Sequence, residues 1–350
     1  MHAYTSAVAF ANALSTLLFF LPLPWYLKSW NIGTCVFMVS NGLKALVELI
    51  NALVWSGNVA NKAPAWCQIS IQITGSDAFV LPACILAVNR RLYLISLDPT
   101  GILNNRQRII WEDLTICLFL PMVLTGLALI PLDHGFDIYE DLGCQSTYYN
   151  TIPGILLIPF PTFLLSVISG IYGALNLLSF RKRHMQIREF FATDSSTLEV
   201  RQYFRVVALG IIDAVVTIPF TTWTFVSFII DGDIHPWSWQ AVKRNYGYVA
   251  YLSYTDWWDA HDAESTVGDY YNLIIAVFFF GLFGCSRPII RGYKEAFMSL
   301  GNMLQPRKLS LGSKISSNQT NNMEAELGIQ FAERSTLATS MFSQTSDANT

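Results

Sequence analysis

Four charged side chains lie within long apolar stretches of the sequence, and their types and spacing could carry chemistry. Lys44 and Glu48 are four residues apart, so on a helix they share a face and can pair. Asp77 and Asp213 have no oppositely charged residue close to them in the sequence. Charges within membrane-spanning helices face a bundle interior or a water-filled path. Lys44 and Glu48 therefore form either a structural ion pair or a ligand-binding or switch element. The two aspartates either line a hydrated cavity or make polar contacts between helices.

The sequence carries no motif typical of a catalytic or metal site. CxxC, HExxH, the P-loop, GxGxxG and GxSxG are all absent. Every histidine (2, 134, 184, 235 and 261) lies outside the stretches that could span a membrane. We therefore expect no enzymatic activity, no cofactor and no metal ion bound within the helices.

The composition points to a membrane protein. Of the 350 residues, 52% are hydrophobic and only 13% are charged, whereas soluble domains carry about 25% charged residues. The net charge of −3 excludes the basic domain that a nucleic-acid-binding protein needs. We therefore expect a multi-pass membrane protein.

Charge-poor stretches of about 20 residues, the length that crosses a bilayer, predict seven spans. They cover approximately residues 3–25, 32–55, 67–88, 114–132, 152–178, 206–230 and 270–290. The first is not a signal peptide, because no Lys or Arg precedes Lys28. The predicted fold is an all-α membrane protein, with a seven-transmembrane helix bundle over residues 1–292 and a Ser/Thr-rich, disordered cytoplasmic tail over 293–350.

The distribution of basic residues predicts the orientation. Of the 22 Lys and Arg residues, only Lys62, Lys243 and Arg244 fall in the segments 56–65, 133–151 and 231–269, and Lys44 lies inside a span. Cytoplasmic loops carry the excess of basic residues. The N-terminus is therefore predicted outside and the C-terminus inside.

Two of the six cysteines lie on the predicted outer side. Cys67 stands at the outer start of the third span and Cys144 in the loop before the fifth. Disulfides persist in oxidising compartments, so we expect a Cys67–Cys144 bridge that ties this loop over the mouth of the bundle. The alternative is two unpaired thiols.

Pro219 stands in the middle of the sixth predicted span. Proline removes a backbone hydrogen bond and favours a kink. The kink either sets only the shape of the helix or acts as the hinge of a switching helix.

The predicted inner loops are short and basic. Arg90 and Arg91 follow the third span, Arg181 and Arg183 follow the fifth, and Arg205 precedes the sixth. Such groups bind anionic membrane lipid or dock a cytoplasmic partner, and the two roles are compatible.

Short segments of the sequence resemble the fungal a-factor-type pheromone receptors, which are class D G-protein-coupled receptors. The resemblance covers about residues 4–300. Its segments are Leu23–Lys28, Ile50–Trp55, Trp66–Cys67, Asn89–Tyr93, Phe136–Cys144, Tyr149–Thr151 and Phe278–Gly284.

This resemblance implies a plasma-membrane receptor for a lipidated (farnesylated) peptide pheromone that signals to a heterotrimeric G protein in mating. The ligand would bind among spans three, five, six and seven beneath the tethered loop. The candidate ligand-binding residues are Asp77, Phe136, Tyr139, Glu140, Tyr148, Trp223 and Tyr270. The candidate G-protein-facing residues are Arg90, Arg91, Arg181, Arg183 and Arg205, and the candidate switch residues are Lys44, Glu48 and Pro219.

The third outer loop, about 231–268, is long and aromatic, and we expect it to shape the choice of ligand. Two alternatives stay open. One is a receptor-like orphan paralogue without a pheromone response. The other is a transporter that uses Glu48, Asp77 and Asp213 as a polar path.

Overall fold

The computed structural model describes residues 2–28, 32–97, 106–190, 213–230, 234–240, 247–259 and 263–284, together with residues 290, 292–295 and 298. Residues 1–293 form one compact, mostly helical unit, and a second unit begins at Lys294. The disorder predicted for the tail falls almost wholly outside the described residues and stays a prediction.

The described residues of the first unit form helices of very different lengths. These are α1 (Ala3–Phe20), α2 (Leu23–Lys28), α3 (Ile32–Val54), α4 (Pro64–Leu97), α5 (Arg106–Leu114), α6 (Leu120–Ala128), α7 (Ile152–Leu157), α8 (Pro159–Phe190), α9 (Ile218–Ile230), α10 (Tyr254–Asp259) and α11 (Ala263–Phe279). Three turns of π-helix interrupt or extend them: Thr115–Phe119 joins α5 to α6, Asp213–Thr217 precedes α9, and Phe280–Gly284 follows α11.

Among the described residues, five helical stretches are long and apolar enough to cross a membrane. They are Ala3–Leu27, Ile32–Val54, Pro64–Leu94, Gln107–Ala128 and Ile152–Ser179, and they coincide with the first five predicted spans. Two shorter apolar helices, Val215–Ile230 and Val267–Leu282, lie where spans six and seven are predicted. Residues 206–212 and 285–289 lie outside the described residues, so the count of seven and the orientation stay predictions.

Several serine and threonine hydroxyls within these helices donate to carbonyls of their own helix. Ser15 donates to the Ala11 carbonyl at 2.8 Å, and Thr221 donates to the Thr217 carbonyl at 2.9 Å. This local bonding lets serine and threonine occupy a membrane helix without an unpaired donor in hydrocarbon.

The helices close into a ring around a shared interior. α4 packs against α3, α6 and α8; α1 packs against α3 and α11; and α9 packs against α8. The Phe220 ring of α9 stacks on the Tyr271 ring of α11 with centroids 4.3 Å apart, which closes the ring. Phe37 of α3 stacks on Phe279 of α11 in the same way at 4.7 Å. Side chains that point into this shared interior from different helices therefore contact one another.

A small sheet covers one end of the bundle, which corrects the all-α prediction. Strand β1 (Asp137–Tyr139) pairs antiparallel with β2 (Gly143–Gln145) and parallel with β3 (Tyr251–Leu252). In this register Ile138 lies opposite both Cys144 and Tyr251. Strands of two or three residues are too short for period-two alternation to reveal them in a sequence.

Candidate functional site

The sheet belongs to a layer, here called the cap, formed by residues 55–63, 133–151 and the described residues of 234–259. Cys67, in the first turn of α4, is bonded to Cys144 of β2 with the Cα atoms 5.3 Å apart. This separation is usual for a disulfide. Trp55, Phe136 and Ile138 surround the bond, and each is at most 3% exposed. The bridge fixes the sheet to α4 through a packed apolar core.

Asp141 is the polar centre of the cap. Its buried carboxylate accepts hydrogen bonds from the Gly57 amide at 2.7 Å, the His2 amide at 3.0 Å and the Thr5 hydroxyl at 2.9 Å. Burial alone would raise the pKa of this carboxyl, but the three donors outweigh it and hold the pKa below its usual value. One side chain thus joins the start of α1 and the first loop to the sheet.

Glu140 attaches the third loop to the same point. Its carboxylate accepts the Tyr254 amide at 2.8 Å, and its carbonyl accepts the Trp257 indole N–H at 3.1 Å. The Tyr254 ring stacks on the His2 ring with centroids 3.6 Å apart. Tyr4 donates to Asp269 of α11 at 2.7 Å. Aromatic side chains from α1, α10 and α11 therefore gather beside Glu140.

A histidine between two acids stabilises the other side of the cap. His134 contacts Asp133 at 3.1 Å and Asp137 at 2.5 Å. Burial alone would lower the pKa of His134, but its bonds to the two carboxylates and their charges raise it overall. Asp137 also accepts the Thr147 hydroxyl at 2.6 Å, so His134 holds charges that order the sheet.

Beneath the cap lies a polar interior formed by Lys44, Glu48, Asp77, Asn41 and Asn272. The Lys44 ammonium lies 3.3 Å from Asp77 of α4 and 4.0 Å from Glu48. The Asn272 amide of α11 donates to the Asn41 carbonyl at 3.4 Å. Within the described part of the chain, one buried side-chain oxygen of each of Asp77, Asn41 and Asn272, the Oδ1 atom, makes no hydrogen bond. The interior thus joins three helices and presents unsatisfied acceptors.

A second charged group, here called the arginine cluster, lies at the far end of α4. Arg90 pairs with Glu112, and its guanidinium lies 3.5 Å from Asp113. Arg91 lies 3.6 Å from Asp113, whose side chain is only 1% exposed. At 1.5 Å per residue, Cys67 and Arg90 stand about 35 Å apart along the helix. The cluster therefore ties α4 to α5 at the end opposite the cap.

Comparison with known proteins identifies this architecture. The model of the family described as Pheromone A receptor (STE3) matches residues 7–301. The chain belongs to the STE3 pheromone receptor family. The resemblance drawn from the sequence is therefore confirmed, and the family is one of receptors rather than enzymes.

Relatives support the same membership. The Pheromone B alpha 3 receptor of Schizophyllum commune is 32% identical over 290 residues, which are 81% of this chain and 46% of that protein. The Pheromone B alpha 1 receptor of the same fungus is 36% identical over 67% of this chain and 37% of its own length. Pheromone receptor 1 of Mycosarcoma maydis is 28% identical over 79% of both chains. The chain spans less than half the length of the two Schizophyllum relatives.

The receptor's structure brings together only some of the predicted ligand-binding residues. Tyr139, Glu140 and Tyr270 lie within or beside the aromatic part of the cap, where Tyr270 meets the Tyr4 ring edge-on at 6.1 Å. Asp77 lies deeper, in the polar interior. Tyr148 lines a small cavity between α4 and α6.

Two other predicted ligand-binding residues lie apart from this group. Phe136 is 3% exposed inside the core around the disulfide, so its surface is already occupied. Trp223 is half exposed on an outward groove formed by α9 alone.

The predicted switch and coupling residues are also distributed. Pro219 is the second residue of α9, directly after a π-helical turn. Arg90 and Arg91 are engaged with α5, whereas Arg181 is exposed on α8. The side chains of Arg183 and Asp213, and all of Arg205, lie outside the described residues.

Several residues that organise the receptor were not singled out from the sequence. Asp141 binds two backbone amides and the Thr5 hydroxyl in distant segments, and Asn41 and Asn272 meet only because α3 and α11 pack together. His134 could have been noticed, because its two acidic partners, Asp133 and Asp137, lie one and three residues away in the sequence. Glu112 and Asp113 could have been noticed as two adjacent acids opposite two adjacent arginines, Arg90 and Arg91.

Proposed function

We propose that this chain is a G-protein-coupled receptor of the plasma membrane that binds a farnesylated peptide pheromone and signals to a heterotrimeric G protein in mating. Its N-terminus lies outside and its C-terminus inside. Family membership supports the class of receptor. The observation that carries the proposal is the cap, in which bonds to Glu140 and Asp141 join the start of α1 and two further loops above a polar interior.

The peptide contacts the aromatic side of the cap. Tyr139, Glu140 and Tyr270 stand where the N-terminal helix and the third loop meet, so a bound peptide would touch elements that are distant in sequence. Phe136 supports this site by packing against the disulfide instead of touching the ligand, because its side chain is buried. Tyr148, in the small cavity between α4 and α6, and Trp223, on the outward groove of α9, lie away from this surface and are not part of the proposed peptide contact.

Lys44 is the element that reports ligand binding to the helices. One ammonium faces Asp77 on α4 and Glu48 on its own helix, so a small helix movement exchanges one partner for the other. A ligand that favours one of these arrangements shifts the population of the bundle by its difference in affinity. Asp77 therefore influences the arrangement of the helices through its ion pair with Lys44.

Coupling takes place at the opposite end of α4. Arg90 and Arg91 pair with Glu112 and Asp113, and their release would present two basic groups to a partner. Arg181 is already exposed on α8. Pro219 follows a π-helical turn, where the helix can bend because its regular hydrogen bonding is interrupted. Bending there would move the inner part of span six, with Arg205, relative to Arg183.

The direct test is a reporter assay in a fungal cell that lacks its own receptor. Synthetic peptides are applied with and without the farnesyl group, and surface expression is measured in parallel. We expect the farnesylated peptide to be far more potent, since each buried CH₂ group contributes about 0.8 kcal/mol. Silence across a broad panel, with the protein present at the surface, would contradict the proposal and favour an orphan paralogue.

The coupling residues are tested by separating binding from signalling. Replacing Arg181 and Arg183 with alanine should leave binding of a labelled active peptide unchanged and weaken the reporter response. The control is Lys62→Ala, which removes a basic side chain from the first loop of the cap instead of from the predicted inner loops. Equal loss of binding and signalling in the double variant would show that these arginines do not dock the partner.

A further inference from the structure

Exposed apolar side chains surround the point where the third loop meets the start of α7. Thr151 and His235 form a parallel β-bridge there, in which the His235 amide donates to the Asn150 carbonyl at 3.0 Å. Ile152 and Ile234 directly follow and precede these bridged residues and are 69% and 46% exposed. Ile230, the last residue of α9, is 73% exposed. The Asn150 side chain donates to the Phe228 carbonyl of α9 at 3.3 Å, so all three elements are held together.

The β-bridge limits how far the third loop can lie from the start of the predicted fifth span. The candidate span Ile152–Ser179, defined by its length and composition, begins at the residue after Thr151, so a bilayer matched to this span would have its hydrocarbon edge near the bridge. Trp237 is two residues beyond His235 and therefore at most about 7 Å away along the chain. The headgroup layer is about 5–8 Å thick on each side of the bilayer. Trp237 is therefore within reach of the headgroup layer of such a bilayer.

The chemistry of the loop suits that layer. Residues 234–240 contain no Asp, Glu, Lys or Arg. Trp237 and Trp239 are 38% and 58% exposed, and their rings meet edge-on at 6.0 Å. Tryptophan concentrates at membrane interfaces because its ring is apolar while its N–H group still requires a hydrogen-bond partner.

We propose that Ile152, Ile230, Ile234, Trp237 and Trp239 form an interfacial strip that inserts into the headgroup layer of the bilayer and anchors the third loop to the membrane surface. Lipid is the partner because the strip continues the exposed apolar surfaces of two predicted spans. Leu156 on α7 and Val226 on α9 are 57% and 40% exposed one turn further along those helices. The anchor forms without ligand and does not depend on what the receptor senses.

The test places a fluorescent label at Ser238→Cys, between the two tryptophans, in a receptor whose other unpaired cysteines are replaced by alanine. The receptor is reconstituted in nanodiscs without ligand. Quenching is measured with lipids that carry a doxyl group near the headgroup and, separately, with aqueous iodide. Leu156→Cys, on the exposed face of the predicted fifth span, gives the reference for full lipid contact.

We expect doxyl quenching at Ser238→Cys to approach that at Leu156→Cys and iodide quenching to be weak. Adding Trp237→Ala and Trp239→Ala should reduce the doxyl quenching several-fold at the same labelled position. These exposed side chains can be removed without opening the core, and binding of a conformation-sensitive antibody to the cap checks the fold. Strong iodide quenching would overturn the proposal. So would protection from both quenchers, because it would mean that a second copy of the chain covers the strip.

Discussion

The two ends of the receptor are held by different kinds of interaction. The cap is fixed by a covalent bond, a short sheet, and an aspartate that accepts two backbone amides. The arginine cluster is held by ion pairs between side chains of α4 and α5. Backbone and covalent links have no alternative partner, whereas a guanidinium can exchange one acid for another. From this difference we propose that the cap end keeps one shape and that the arginine end is the part that switches.

Removing the disulfide should have the largest effect. The bridge between Cys67 and Cys144 closes a loop with a sequence separation of 77 residues, and the chain-entropy account gives about 4 kcal/mol for a loop of this order. Cys67→Ser should therefore strongly reduce thermal stability and surface expression. Cys35→Ser, at an unpaired and half-buried thiol, is the control. Equal stability of the two variants would contradict a fixed cap.

Asp141→Asn should come next in the order of effects. The substitution removes the charge that strengthens three hydrogen bonds, and bonds to charged groups contribute about 1.5–3 kcal/mol each. We expect a loss of about 2 kcal/mol and faster hydrogen exchange at the start of α1. Asp256→Asn, at an exposed acid whose hydrogen bonds within the described part of the chain go to Ser253 of its own loop, should cost much less. Similar losses in both variants would mean that Asp141 is not the centre of the cap.

Asp113→Asn tests the other end of the receptor. Loss of this charge weakens the ion pairs of Arg90 and Arg91 with α5, so signalling without ligand should rise. We expect a rise of about five-fold, which is the lower end of the change that a coupling free energy of about 1–3 kcal/mol produces. Arg108 lies 2.9 Å from Glu112, and its side chain is 80% exposed. Arg108→Gln removes this exposed pair and should change basal signalling little. Unchanged basal signalling in Asp113→Asn would show that the cluster is only structural.

The smallest expected effect is a pH dependence of the cap. The pKa of His134 is raised above 6.5, so its stabilising charge is fully present below about pH 6.5 and is lost as the pH rises through the raised value. The pKa of Asp141 is lowered below 3.8, so its contribution is present above that pH and is lost only in stronger acid. Unfolding measurements from pH 6 to 8 should show a decline that His134→Gln removes and His235→Gln retains.

The sequence predicted the elements that depend on composition and periodicity. Five of the predicted spans coincide with helices because an apolar stretch of about 20 residues has few other stable forms in a membrane. Cys67 and Cys144 could be paired in advance because both fall on the side of the chain where disulfides persist.

Contacts between distant segments could not be predicted in this way. Local spacing paired Lys44 with Glu48 at 4.0 Å, but the nearer acid is Asp77 at 3.3 Å, which is 33 residues away. Arg90 and Arg91 were predicted to face a partner, yet α5 supplies Glu112 and Asp113 to them. A charge pattern shows which groups need partners, but only the packing of helices decides which partners they find.

The measurement that tests this account most directly is a pair of distances recorded by electron spin resonance in nanodiscs. The first pair of spin labels, at Leu97→Cys and Trp111→Cys, measures the distance between α4 and α5 at the arginine end. The second pair, at Ser56→Cys and Thr255→Cys, measures a distance across the cap. All four positions are exposed. On activation by a farnesylated peptide or by Asp113→Asn, the first distance should change by several ångströms while the second stays constant. A change confined to the cap would contradict the account.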